Sequence, residues 1–176
     1  MNIIVAITGA SGAIYARQVL EQLINSEKVA NIALVMSDNA RDVVEAEKIT
    51  LPESPKVEVY SNDDMWASLA SGSARWNSMI IVPCSMGTVG RIASGVSRTL
   101  IERAADVMLK ERRPLVTVVR EAPYSLIHLR NLTTITEAGA IVLPASPSFY
   151  FVPQSIDELA MTVSIRAVEM LGLEVA

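Results

Sequence analysis

The chain is 176 residues long, 51% hydrophobic and only 19% charged, with 15 Lys+Arg against 19 Asp+Glu and a formal net charge of −4. That length supports a single domain, 1–176, with a substantial core, and the acidic balance argues against a general nucleic-acid binder. One cysteine excludes an internal disulfide and, with a single histidine, argues against a Cys/His metal site within the chain. No apolar run approaches the length of a membrane span, and the N-terminus has neither a basic n-region nor a cleavage site, so a cytoplasmic protein without a membrane partner is expected. A mean hydropathy of +0.35 leaves the surface short of polar groups for a monomer, and burial against other copies is expected.

In chain order, the apolar run NIIVAIT (2–8) predicts a first strand, and Ala16, Val19, Leu20 and Leu23 follow at helical spacing. ANIALVMS (30–37) predicts a second strand, followed by a helix over Asn39 to Lys48 and a two-proline loop from Thr50 to Pro55. KVEVY (56–60) alternates as a half-exposed strand does. SMIIVP (78–83), PLVTVV (114–119) and AIVLP (140–144) are further continuous runs of the kind buried on both faces of a parallel sheet. Thr99–Glu102 and Ser155–Glu158 each fit a capping box, and Gly172 fits the stop of a last helix. The proline-punctuated segment PASPSFYFVP (144–153) excludes helix yet carries three consecutive aromatics. Strands alternating with helices predict an α/β fold, a three-layer, doubly wound parallel sheet of the Rossmann/flavodoxin-like kind. Ligands in such folds sit beyond the carboxyl ends of the strands.

The residues at those ends are informative. TGASGAIY (8–15) leaves the first strand and enters a helix, with Gly9 and Gly12 for a tight turn and Ser11 beside free helix amides, a place for a phosphate. A tight turn needing glycine for geometry alone remains the alternative. The full G-x-G-x-x-G fingerprint is absent. So is the Tyr/Lys pair of short-chain dehydrogenases, since Val19, Asp64, His128 and Gln154 stand four residues after the tyrosines. VPCSMGT (82–88) repeats the small, polar design at another strand end, and Cys84 without a nearby histidine reads as a buried thiol rather than a nucleophile. His128, among Leu126, Ile127 and Leu129, reads as a core histidine, and Trp66 and Trp76 as candidates to line an apolar pocket.

Between Arg91 and Arg130 lie eight of the Lys and Arg residues and four acids, a local charge of +4 against −8 for the remainder. Arg103 and Lys110 share a helix face about 10 Å apart, with Asp106 placed between them for an ion-pair ladder. Arg120 falls instead at the carboxyl end of LVTVV, where a ligand-facing charge is expected, with Glu121 beside it as a proton carrier or an arginine partner. Arg166 interrupts the apolar stripe Leu159, Val163, Met170, which either snorkelling or a buried site needing positive charge would explain.

TGASGAIY, ASGS (70–73), VPCSMGT, RAADVMLKERRPLV (103–116), REAP (120–123), SLIHL (125–129), AGAIVLP (138–144) and FY (149–150) together resemble the UbiX-type flavin prenyltransferases, nearly end to end. Members of this family have also been described as aromatic-acid decarboxylases. The resemblance implies binding of reduced FMN and transfer of a dimethylallyl group from dimethylallyl monophosphate to flavin N5 and C6, without a metal. The product, prenylated FMN, serves UbiD-type decarboxylases. It further implies that Gly9, Ala10, Ser11, Ser37, Ser85, Met86, Gly87, Thr88 and Arg120 hold FMN. Tyr150 and Arg166 would hold the dimethylallyl phosphate, with Lys110, Arg103 and Glu121 reaching it, some from a neighbouring subunit of a homododecamer. Ser11 and Glu121 are the candidates for proton handling. A family acid near the flavin matches either Glu45 or Glu47. Fixed Arg and Lys charges would then neutralise a leaving phosphate, the task magnesium performs in metal-dependent prenyl transfer. Two other readings share the fold: an FMN-dependent decarboxylase of cysteinyl substrates, which has a catalytic histidine, and a non-catalytic FMN carrier.

Overall fold

The computed structural model describes residues 1–173; residues 174–176, the tail of the expected domain, lie outside it. Six strands form one sheet: β1 (Asn2–Ile7), β2 (Asn31–Met36), β3 (Val57–Tyr60), β4 (Ser78–Cys84), β5 (Leu115–Val119) and β6 (Ile141–Pro144). All pair in parallel, in the order β3-β2-β1-β4-β5-β6. This is the Rossmann order, which places a topological switch point between β1 and β4. Among the described residues six α-helices cover the sheet: α1 (Ala13–Asn25), α2 (Asp38–Ala46), α3 (Met86–Ala93), α4 (Leu100–Lys110), α5 (Leu126–Glu137) and α6 (Ile156–Glu169). None of the described helices is long and apolar enough to cross a membrane.

Successive strand residues point to opposite faces, and that period splits the core in two. Ile4, Ala6, Met79 and Ile81 pack under α3 and α4, in one cluster with Leu100 and Met108. Ile3, Val5, Ile80 and Val82 face the other way, against Val19 and Leu20 of α1 and Val163 and Ala167 of α6. Continuous apolar runs therefore reflect strands covered on both sides. The expectation fails for AIVLP, because β6 has a single neighbour. Ile141 to Leu143 are only half-buried and Pro144 is exposed. The other edge strand, β3, leaves Val59 62% exposed.

The helix signals resolve unevenly. Thr99 and Glu102 form the full capping box of α4. At α6 only half of the expected box forms: Ser155 Oγ accepts from Glu158 N at 3.1 Å, while the Glu158 carboxylate reaches back to Gln154 N. A second complete box starts α5, where His128 Nδ1 accepts from Ser125 N and Ser125 Oγ accepts from His128 N. His128 is thus a helix cap on the solvent side, not a core residue. Helix α2 ends at Ala46, before the expected Lys48, whose φ of 55° stops the helix. Gly172 takes φ 82° and closes the turn after α6 by donating to Glu169 O. Trp66 is 97% exposed, whereas Trp76 packs on the core and donates to Ser68 Oγ.

Candidate active site

The carboxyl ends of β1, β2, β4 and β5 are laced into one rim. Thr8 Oγ1 donates to Pro83 O at 2.9 Å and accepts from Ser85 N at 2.8 Å, tying the ends of β1 and β4 together. Ser37 N donates to Ile7 O, and Arg120 N to Cys84 O. The buried Thr8 hydroxyl is fully used, so a Val there would leave the Ser85 amide without its acceptor.

Three helices begin at this rim, so their free N–H groups gather around it. At α1, Gly12 sits at φ 113°, which a side chain would strain, and this turns its amide outward. The Glu47 carboxylate fills the opening: Gly12 N donates to Oε1 at 2.9 Å and Ala13 N to Oε2 at 2.7 Å. Burial pushes the Glu47 carboxyl up, but the Ser11 hydroxyl, the two amides and the Arg120 charge outweigh it and hold it below the ordinary range. The α1 N-terminus therefore takes an anion. Of Glu45 and Glu47, it is Glu47 that meets the α1 amides, since it caps α2 and folds back while Glu45 is exposed.

The other two starts carry more of the expected residues. Ser37 caps α2, accepting from Ala40 N at 3.2 Å. Asn39 of that helix packs against the β1 loop so closely that a Cβ on Gly9 would lie 2.5 Å from its own Cβ. Ser85 caps α3, with Thr88 N donating to its Oγ at 3.3 Å and the two hydroxyls 3.1 Å apart. Among the described residues, the Met86 and Gly87 amides meet no acceptor. The Met86 side chain is core, as is the side chain of Ala10, so each would meet a ligand only through its backbone. Arg120 is exposed at the end of β5, close enough to Tyr15 to oppose the upward push of burial on that phenol. These amides, hydroxyls and one guanidinium suit a phosphate-bearing cofactor, and the Glu47 contact demonstrates anion acceptance directly. Burial raises the Cys84 thiol to about 12, which removes it as a nucleophile.

Among the described residues, three of the eight cations of the basic island are ion-paired within the chain. Arg91 pairs with Glu102, Arg103 with Asp106 at 2.6 Å, and Lys110 with Glu111 rather than Asp106. Arg113 donates to the carbonyls of Ala74 and Gly72. The Arg120 guanidinium stands at the carboxyl end of a strand with no side-chain hydrogen bond or ion pair among the described residues. Glu121, the fourth acid of the island, accepts from Ala122 N at 3.0 Å.

One chain does not gather the remaining candidates. Arg103 also donates to Ala70 O, while Lys110 ends α4, next to the amino-terminal edge of β5. Tyr150 is 92% exposed. Arg166 is exposed and paired with Glu169, so it snorkels. It lines a groove of about 760 Å³ between α1, α6 and the proline loop, together with Ser148, Phe151 and Met161. The sequence places Thr8 at the first strand end and Arg91 in the basic island but gives neither a role of its own; the polar end of the first strand was the available signal for Thr8. No group of three or more His, Cys, Asp or Glu among the described residues is arranged to hold a metal.

Comparison with known proteins gives the family. The flavoprotein family profile matches residues 1–168. The chain is 41% identical to "Flavin prenyltransferase UbiX" of Methanocaldococcus jannaschii, over 99% of this chain and 95% of that protein. It is 44% identical to the protein of the same name from Thermoplasma acidophilum, over 98% and 96%. Among solved structures, AnUbiX (PadA1) in complex with FMN and dimethylallyl pyrophosphate superposes with a TM-score of 0.90 at 41% identity, over 98% of this chain and 93% of that one. A dodecameric FMN-dependent UbiX-like decarboxylase from Escherichia coli O157:H7 gives 0.92 at 38% identity, over 99% and 97%. A PPC decarboxylase at 18% identity and a TM-score of 0.62 shares the fold alone. With matches of this extent and an anion-accepting rim at the β1/β4 switch point, the chain belongs to the UbiX flavin prenyltransferases of the flavoprotein family.

Proposed function

We propose that this protein transfers a dimethylallyl group from dimethylallyl monophosphate to N5 and C6 of reduced FMN, and that the prenylated FMN serves a UbiD-type decarboxylase in the cytoplasm. The observation that carries the proposal is Arg120, whose guanidinium has no hydrogen bond or ion pair among the described residues, at a rim whose amides already donate to a carboxylate. Gly9, Ala10, Ser11, Ser37 and Ser85 to Thr88 would hold FMN, with Arg120 supplying fixed positive charge. The flavin, when bound, supplies the nucleophile and a π-face beside the reacting carbon. Ser11, hydrogen-bonded to Glu47, is placed to hold or pass a proton, and Glu121 sits next to Arg120 for the same task.

Breaking an allylic C–O bond leaves a phosphate anion, which prearranged cations stabilise without reorganisation. Arg103, Lys110, Tyr150 and Arg166 are the residues for that task. They stand apart on one chain, which supports a homo-oligomer, a dodecamer as in the E. coli relative, whose interfaces complete each site. The exposed Phe149, Phe151 and Val152 beside Tyr150 give such an interface its apolar area. Purified protein with reduced FMN and dimethylallyl monophosphate should release phosphate without added magnesium and add a prenyl mass to the flavin. Unchanged flavin mass with no phosphate release sinks the proposal, and carbon dioxide release from a cysteinyl peptide would favour the decarboxylase reading.

A further inference from the structure

Arg91 is one of the cations of the basic island to which the proposed function gives no task. It lies in the last turn of α3, yet its side chain runs back along the helix toward the rim. Its Nε donates to Glu102 Oε1, and its Nη2 donates to Thr88 Oγ1 at 3.3 Å. Its Nη1 lies alongside Gly87, where an added Cβ would come within 3.3 Å of it. Glu102 holds the guanidinium from a fixed position. Its side chain is 3% exposed, and its other oxygen accepts from the Arg98 and Thr99 amides at 2.8 and 3.1 Å. Burial alone would raise the Glu102 carboxyl, but the Arg98 amide, Arg91 and the Thr99 amide together hold it below its ordinary range, so the carboxylate stays ionised against the guanidinium.

The contact sets a direction for the hydroxyls at the start of α3. Thr88 is buried, 2% exposed, and its oxygen accepts from Arg91, so its own hydrogen has one acceptor in reach, Ser85 Oγ at 3.1 Å. Ser85 Oγ already accepts from Thr88 N. With both those hydrogens pointing at it, Ser85 is left to donate its own hydrogen, and the open side is the rim beside the unpartnered Met86 and Gly87 amides.

We propose that Arg91 is a positioning residue for the flavin phosphate: through Thr88 it aims the Ser85 hydroxyl, with Glu102 holding it in place. The inference rests on the reading of Ser85 to Thr88 as an FMN-holding turn. Arg91 acts on the phosphate end of the ligand and leaves the ring system untouched. The test therefore compares FMN with riboflavin, the same ring without phosphate, by flavin fluorescence titration of the assembled protein. Wild type should bind FMN more tightly than riboflavin. Arg91→Met should weaken FMN on the order of 10-fold while riboflavin changes less than about two-fold. Arg91→Lys, which keeps charge but cannot reach Glu102 and Thr88 at once, should fall between, and it reports the same ratio if Arg91→Met does not fold. Equal weakening of both flavins, or no change in either, overturns the assignment of Arg91. A wild-type protein that does not distinguish the two flavins overturns the phosphate turn itself, and the inference with it.

Discussion

The rim at the β1/β4 switch point and the outward face formed by the proline loop and α6 are built on opposite terms. At the rim, the groups that frame the site are answered within the chain, Thr8 by Pro83 and Ser85, the α1 amides by Glu47 and Arg91 by Glu102 and Thr88, while the Met86 and Gly87 amides and the Arg120 side chain are left open among the described residues. On the outward face, Phe149, Tyr150, Phe151, Val152 and Ile156 are each more than two-thirds exposed. A rim with its own partners is preorganised before any ligand arrives. An apolar face of this extent is finished by another surface. The two differ in what a substitution should disturb, affinity and stability at the rim and turnover at the outward face.

The largest effect should come from the outward face. Arg166→Ala is expected to leave FMN affinity within a few-fold of wild type while lowering the turnover number by about 10²-fold or more. Parallel loss of flavin binding and turnover would place Arg166 in the wrong region. Next in size is the rim. Glu102→Ala leaves the Arg98 and Thr99 amides, just before α4, and the Arg91 guanidinium without their acceptor, and should cost about 2–3 kcal/mol, read from the urea midpoint at unchanged slope. A shift below half of that would mean that water replaces the carboxylate freely.

The smallest effect concerns pH. Glu47 is held below its ordinary range in the folded chain, so its contribution is present above that range and is lost as pH falls through the lowered value. Wild type should therefore exceed Glu47→Gln in thermal stability by less than about 1 kcal/mol near neutrality. The gap should close on acidification; a gap independent of pH would show that the carboxylate charge contributes nothing.

The strands were legible because burial on both faces forces long apolar runs, and even the edge strand at residues 56–60 announced itself by alternation. The glycine turns and small polar residues at the strand ends were legible for a similar reason: close backbone approach admits few residue types. His128 was misread because its neighbours Leu126, Ile127 and Leu129 suggested a core, yet all three are exposed at the start of α5. Apolar neighbours signal burial only when some surface covers them.

What the sequence by itself determined was everything set by a residue and its near neighbours: six strands, the α4 cap, the left-handed stop at Gly172 and the polar turns that mark the rim. Tertiary structure alone decided the strand order, the choice of Glu47 over Glu45 for the α1 amides, and the use of Glu102 to hold Arg91 against Thr88. Those outcomes join residues 11 to 35 positions apart, or strands whose neighbours are not consecutive. Local conformational preference carries no information across such distances; only the packing that brings the ends together makes one partner reachable and leaves the other in water.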